Sequence, residues 1–243
     1  MSADTDEQRI ADLVDANHVL AVMGVNDGYG HISVRSAKNP SHYFMSCSRA
    51  PALVSRADII EFDADSQPVD AGGRRLYGER PIHGETYRAR PDVQSVVHAH
   101  PRDVLPFTLT AAPFLPVIHM AFFLGAEPTP VFDSRTVEGE ADSILVLTAN
   151  AGATMAKALG KRSVVLMRGH GITVVGPSVQ SAVYQAIYTV ENARVRQAAL
   201  ALGDPVALNA AEVERMPRSM NYPNVGRTWE IWLAAARASK VEQ

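Results

Sequence analysis

The chain contains few of the residues that mark specialised classes of protein. Its 243 residues include a single cysteine, Cys47, so no disulfide can form within the chain, which is typical of a reducing compartment. Its 23 lysines and arginines do not outnumber its 26 acidic residues, and the formal net charge is −3. Because nucleic-acid-binding domains usually carry a basic excess, nucleic acid is not an expected partner.

The chain also lacks a hydrophobic run long enough to cross a membrane. The most apolar stretch, residues 111–126, is shorter than the roughly 20 residues of a transmembrane helix, and Pro113, Pro116 and His119 interrupt it. The first ten residues are polar and acidic, unlike the basic and then apolar pattern of a secretory signal peptide. We therefore expect a cytoplasmic protein with no membrane partner.

Helical and strand patterns alternate along the chain without a linker or an internal repeat. Apolar spacing predicts a first helix that ends near Gly24, a short helix between Pro81 and Pro91, a longest helix after Ser178, and a last short helix over 229–236. Short apolar runs between the helices predict strands, and the stretch 143–149 fits either element. This interleaving predicts one α/β domain over residues 1–243, with a C-terminal tail from about residue 204.

Two histidines stand one residue apart at the end of a predicted strand, in the stretch SVVHAHP. Alternate residues of a strand point to the same face, so the rings of His98 and His100 would lie side by side. Neutral imidazoles that converge on one point suit a divalent metal ion. The alternative is a pair of polar residues on a solvent-facing edge.

Two further residues are candidates to complete such a site. His170 lies between Gly169 and Gly171, which allow the backbone to bend and approach closely, although an ordinary turn histidine would look the same. Glu79 stands 19 residues before His98 at the start of a predicted helix, where the helix N-terminus stabilises negative charge. The alternative is that Glu79 only interacts with the helix N-terminus and binds no metal.

Four segments together resemble the class II aldolase/adducin family. They are GYGHISVR, YGERPIHGETYRARPDVQSVVHAHP, LMRGHGITVVG and SVQSAVYQAIYTVENARVRQAALALG, and the likeness extends over residues 4–203. The resemblance implies a three-layer α/β/α fold with a central, largely antiparallel sheet. It also implies a divalent metal (Zn, Mn, Fe or Co) bound by His98, His100 and His170, with Glu79 as acid/base or extra ligand. A homotetramer with sites at subunit interfaces is a further expectation.

Departures from the family's sugar-phosphate members indicate a different substrate. His31 stands where those members have Asn, and Tyr77-Gly78 replaces a Ser-Ser pair, so small donors suited to phosphate are missing. Arg49 could pair with a substrate carboxylate, or it could be a surface arginine. The chain thus resembles the decarboxylase branch, which acts on hydroxypyridine-dicarboxylate and dihydroxyphthalate.

The resemblance implies a metal-dependent carbon–carbon lyase that decarboxylates a hydroxylated aromatic or heteroaromatic acid. Loss of CO2 leaves a carbanion, which needs a proton donor, and Glu79 or His119 is the candidate. His119 could equally be a packed histidine. In the tail, Tyr222 is a candidate catalytic residue and Arg218 a candidate carboxylate partner. The alternatives are an aldolase or epimerase acting on a hydroxy-carbonyl compound, and an adducin-like binding module without catalysis.

Overall fold

The computed structural model describes residues 5–139, 143–218 and 225–241. Seven strands form one sheet: β1 His31–Arg35, β2 Tyr43–Ser46, β3 Ile59–Phe62, β4 Ser95–Ala99, β5 Val131–Phe132, β6 Val164–Met167 and β7 Gly171–Gly176. Their order across the sheet is β3-β2-β1-β4-β7-β6-β5. Every neighbouring pair is antiparallel except β5 and β6, which are parallel. The expected largely antiparallel sheet is confirmed.

Helices cover both faces of this sheet. They are α1 Asp6–Val22, α2 Arg80–Ala89, α3 Leu105–Leu109, α4 Arg135–Glu138, α5 Ala149–Leu159, α6 Val179–Leu202, α7 Ala210–Arg215 and α8 Val225–Val241. On β4, Val97 packs in a core cluster with α1, α6 and α8, whereas Val96 packs in a second cluster with α2 and α5. Side chains of a strand alternate between faces, so β4 contributes to both cores. The predicted three-layer α/β/α fold is confirmed.

Local signals in the sequence explain where the helices begin and end. The Ser178 side chain accepts a hydrogen bond from the backbone N–H of Ser181 at the start of α6, which ends at Gly203. In α2, Pro81 lies in the first turn, where a missing N–H costs nothing, and the helix ends before Pro91. The first, short and longest helices thus form as predicted.

The C-terminal region differs from its prediction in one respect. The short last helix expected over 229–236 is wrong in length, because α8 has 17 residues. After Gly226 the sequence contains neither glycine nor proline, so nothing stops the helix early. Trp232 and Ala236 of α8 are buried in the core cluster with α1 and α6. The segment 143–148, which fits either element, forms neither a helix nor a strand.

Within the three described stretches of the chain, no helix combines the length and the apolar character that a membrane crossing requires.

Gly171 at the start of β7 is the glycine that the sheet most clearly requires. A Cβ atom built there would lie 2.1 Å from the carbonyl oxygen of Ala99 on β4. We expect Gly171→Ala to lower the free energy of unfolding by about 1–3 kcal/mol, as overpacking does. Gly28→Ala is the control, since nothing lies within 4 Å of its built Cβ. Equal urea midpoints for the two variants would contradict this close approach.

Candidate metal centre and active site

His98 and His100 lie together at the end of β4, as the strand alternation predicts. The His98 side chain is fully buried in the face that packs on α2 and α5, and His100 follows the last strand residue. Their Nε2 atoms are 2.9 Å apart, and the rings meet edge to face. The alternative of a solvent-facing histidine pair is therefore wrong for His98.

His170 completes the group from the turn between β6 and β7. Gly169, with φ of +61°, adopts the left-handed conformation that allows this turn. The ring of His170 stacks on the ring of His100, with 5.0 Å between centroids, and their Nε2 atoms are 3.1 Å apart. The turn between β6 and β7 thus brings a third imidazole to the pair at the end of β4, although the two are far apart in sequence.

Backbone carbonyls fix the orientation of two of these rings. Nδ1 of His98 lies 3.1 Å from the carbonyl oxygen of Ile172, and Nδ1 of His170 lies 2.9 Å from that of Ile144. A carbonyl only accepts, so both rings donate from Nδ1, and a neutral ring then carries its lone pair on Nε2. Burial lowers the pKa of His98, and it lowers the pKa of His100 to about 4. The neutral form is the metal-binding form.

Ile144 is an unusual residue among these supports. Its φ is +61°, a left-handed conformation that is rare for a β-branched side chain. This conformation places its carbonyl where it accepts the Nδ1–H of His170. Backbone strain of this kind concentrates at functional sites, where the surrounding structure holds it in place.

Glu79 faces the three histidines from the residue just before α2. Its Oε2 lies 3.5 Å from Nε2 of His98, and its Oε1 lies 3.5 Å from Nε2 of His170. Oε1 also accepts a hydrogen bond of 2.9 Å from the backbone N–H of Val146. Burial alone raises the pKa of Glu79, whereas positive charge beside it, on the His98 and His170 rings or on an ion that they bind, lowers that pKa well below its usual range. The side chain is therefore a carboxylate.

The donor set formed by Glu79, His98, His100 and His170 fits one divalent cation. Their ligand atoms all lie within 4.8 Å of one another. Two nitrogens that are each about 2.1 Å from one ion are at most about 4.2 Å apart, and the 2.9 and 3.1 Å that separate Nε2 of His100 from those of His98 and His170 satisfy this limit. Three imidazole nitrogens and one carboxylate are also a mixed donor set that divalent transition metals accept.

Glu79, His100 and His170 open onto a cavity of about 700 Å³, and His98 lies behind them. Charged, polar, aromatic and aliphatic residues form its wall: Asp27, Tyr29, His31, Ser48, Arg75, Leu76, Tyr77, Gly78, Glu79, His100, Leu145, Leu147 and His170. His31 lies beside the donor set, with its ring centroid 5.0 Å from that of His98. The structure thus places His31 at the cavity, whose wall is more apolar than polar, and its role in substrate binding stays a prediction.

Arg75 is a cavity residue that sequence reasoning missed. Within the described residues its guanidinium has neither a hydrogen bond nor an ion pair, although it lines the same cavity as Glu79. The neighbouring Arg74, in contrast, donates to the carbonyl oxygens of Ala71 and Ala57. The sequence alone does not distinguish Arg74 from Arg75. The conformation of the loop decides which of the two side chains faces the cavity.

Other predicted site residues are not brought to the cavity. Arg49 donates to the carbonyl oxygen of Leu53 at 2.7 Å and lies 3.4 Å from Asp58. His119 is exposed at the start of a 3-10 helix and is absent from the cavity wall. Tyr222 and the side chain of Arg218 lie outside the described residues. The catalytic or substrate roles of these four residues stay predictions.

Comparison with known proteins agrees with this geometry. Residues 11–196 match the profile of the Class II Aldolase and Adducin N-terminal domain, which is most of the chain. The chain belongs to the class II aldolase and adducin family, as its motifs predict. Its seven-stranded fold is also similar to the crystal structure of an aldolase II superfamily protein from Pseudomonas syringae, with a TM-score of 0.80 and 22% identity over 98% of this chain and 95% of that one.

Curated relatives place the chain within the family more closely. Decarboxylase tropJ of Talaromyces stipitatus is 38% identical over 239 residues, which cover 89% of either chain. The 3,4-dihydroxyphthalate decarboxylase of a Terrabacter species is 33% identical over 230 residues, 89% of this chain and 92% of that one. The predicted similarity to the decarboxylase branch is confirmed, and these relatives support an enzyme of the decarboxylase and aldolase class.

Proposed function

We propose that this protein is a divalent-metal-dependent decarboxylase that acts on a hydroxylated aromatic or heteroaromatic carboxylic acid. The observation that carries the proposal is the convergence of three imidazole Nε2 atoms and the Glu79 carboxylate at the base of one cavity. Similarity to proteins named decarboxylases supports the reaction type. Zn, Mn, Fe and Co all accept this set of nitrogen and oxygen ligands.

In the proposed reaction His98, His100 and His170 hold the ion, and Glu79 is a fourth ligand or an acid/base. The ion, when bound, supplies Lewis-acid stabilisation of negative charge on an oxygen next to the carbon that loses CO2. Carbonyl groups keep His98 and His170 in the tautomer that presents Nε2. The Val146 N–H orients Glu79 through its Oε1, which leaves Oε2 on the side of His98.

The cavity wall supports a flat, carboxylated substrate. Leu76, Leu145 and Leu147 offer apolar surface, and Tyr29 and Tyr77 offer aromatic rings. This lining suits the faces of an aromatic ring better than a sugar phosphate, which needs many polar donors. The guanidinium of Arg75 adds a positive charge that can pair with a carboxylate on the substrate.

A substrate panel tests the proposed reaction. The protein is loaded in turn with Zn, Mn, Fe(II) and Co, then incubated with dihydroxyphthalates and hydroxypyridine-dicarboxylates while released CO2 is measured. CO2 release that requires metal is the expected result. Absence of CO2 from every hydroxy-aromatic acid, together with aldehyde release from hydroxy-carbonyl phosphates, would instead assign the site to an aldolase.

A pair of arginine variants tests which cation binds the substrate carboxylate. We expect Arg75→Gln to raise KM about 10- to 100-fold, since a hydrogen-bonded charge pair contributes about 1.5–3 kcal/mol. Arg49→Gln should change KM little, because Arg49 is engaged with Leu53 and Asp58. Steady-state kinetics on the substrate found in the panel measure both. A larger rise in KM for Arg49→Gln than for Arg75→Gln would assign the substrate carboxylate to Arg49 instead.

The likeness to this family also supports a homotetramer with sites at subunit interfaces. His119 is exposed in the single chain, so in such a tetramer its side chain is accessible to a neighbouring subunit. Light scattering of the purified protein measures the mass directly. A monomer with full activity would contradict the oligomeric part of the proposal.

A further inference from the structure

Four polar side chains form a hydrogen-bonded chain from the cavity into the protein. His31 and Ser33 alternate on β1 and so point to the same face, while His83 and Tyr87 are four residues apart on the facing side of α2. Nδ1 of His31 lies 2.7 Å from Nε2 of His83, and Nδ1 of His83 lies 2.6 Å from the Ser33 hydroxyl. The Ser33 hydroxyl lies 2.8 Å from that of Tyr87.

All four groups of this chain are buried, and their residues are at most 6% exposed. Burial disfavours the charged forms of these groups: it lowers the pKa of His83 to about 3 and raises that of Tyr87. A neutral imidazole has one N–H donor and one nitrogen acceptor, so each link of the chain determines the direction of the next.

One direction places the one unpaired donor of the chain at the cavity rather than in the interior. Tyr87 donates to Ser33, Ser33 donates to Nδ1 of His83, and Nε2–H of His83 donates to Nδ1 of His31. His31 then carries its remaining hydrogen on Nε2 at the cavity wall, where a ligand can accept it. In the opposite direction the hydroxyl of Tyr87, a residue only 6% exposed, would have no protein acceptor among the described residues.

We propose that Tyr87, Ser33 and His83 are positioning residues that hold His31 as an Nε2–H donor to an anionic oxygen of the substrate. This inference rests on the proposed function, since the acceptor is a carboxylate or phenolate oxygen of a hydroxy-aromatic acid. Within the described residues no protein group hydrogen-bonds to Nε2 of His31, which lines the cavity. His83 is the link between His31 at the cavity and Ser33 in the interior.

Neutron diffraction of the perdeuterated wild-type protein tests the tautomer without any turnover. Deuterium on Nε2 of His31, with none on its Nδ1, is the expected result. Deuterium on Nδ1 of His31 would overturn the inference. Because this measurement needs no substrate, it separates failure of the inference from failure of the proposed decarboxylase reaction.

Serine variants test the consequence for the substrate. Ser33→Ala interrupts the chain, and we expect it to lower kcat/KM about 10- to 100-fold, as loss of a hydrogen bond to a charged group does, with metal content unchanged. Ser33→Thr keeps the hydroxyl and should restore activity. Ser95→Ala is the matched control, a buried serine on β4 whose hydroxyl donates to the Ser33 carbonyl outside the chain. Equal losses in Ser33→Ala and Ser95→Ala would indicate a merely structural role and overturn the inference.

Discussion

The variant His100→Ala should lose both its bound divalent metal and its activity. Removal of a direct ligand should cost more than the roughly 10- to 100-fold in metal affinity that outer partners of a metal site cost. His100 is the best choice of the three histidines, because it is only partly buried and follows the last residue of β4. Its removal leaves the strand and both cores intact. Metal content by mass spectrometry and CO2 release measure the two effects.

A surface histidine provides the control for this variant. His42 is 2.7 Å from Glu61 and lies outside the cavity wall. His42→Gln should therefore bind metal and turn over substrate as the wild type does. If His100→Ala, with an unchanged circular dichroism spectrum, retained wild-type metal content and activity, the assignment of His100 as a ligand would be wrong.

The second large effect is expected from Glu79→Gln, which removes charge while it preserves shape. The amide oxygen can still accept from the Val146 N–H, so the local backbone contact survives. We expect metal affinity to fall about 10- to 100-fold, and activity at saturating metal to fall as well, because the carboxylate is lost from the site. Metal titration by calorimetry and steady-state kinetics measure the two quantities separately.

Glu85→Gln is the matched control for this charge removal. Glu85 is a buried glutamate within α2, and it pairs with Arg88 rather than with histidines. It should leave metal affinity unchanged. A Glu79→Gln variant with wild-type affinity and rate would show that Glu79 serves only to hold the backbone at Val146.

The convergence of the candidate metal ligands could be predicted from sequence because local rules place them. Strand alternation brings His98 and His100 to one site, and the glycines around His170 mark a turn that approaches β4. Glu79 was found by its place before a helix with proline in the first turn. The family resemblance then joined these local signals, which are far apart in sequence, into one donor set.

The supporting residues could not be predicted because their roles depend on tertiary contacts. The sequence gives no sign that Arg75 rather than Arg74 lines the cavity, or that Ile144 adopts a left-handed conformation. His83 appears in sequence as an ordinary helical histidine. Only the packing of α2 on β1 shows that it links His31 to Ser33. The predicted helix over 229–236 is too short because it follows only the apolar residues of the segment, whereas α8 extends from Val225 to Val241.

Anomalous diffraction from crystals soaked in Mn²⁺ tests the central claim most directly, namely that this donor set binds one divalent cation. The account predicts a single strong anomalous peak within bonding distance of Nε2 of His98, His100 and His170, with an oxygen of Glu79 beside it. Data collected in the same way from His100→Ala crystals should lack that peak. Full manganese occupancy elsewhere, with no peak between the three histidines, would contradict the claim.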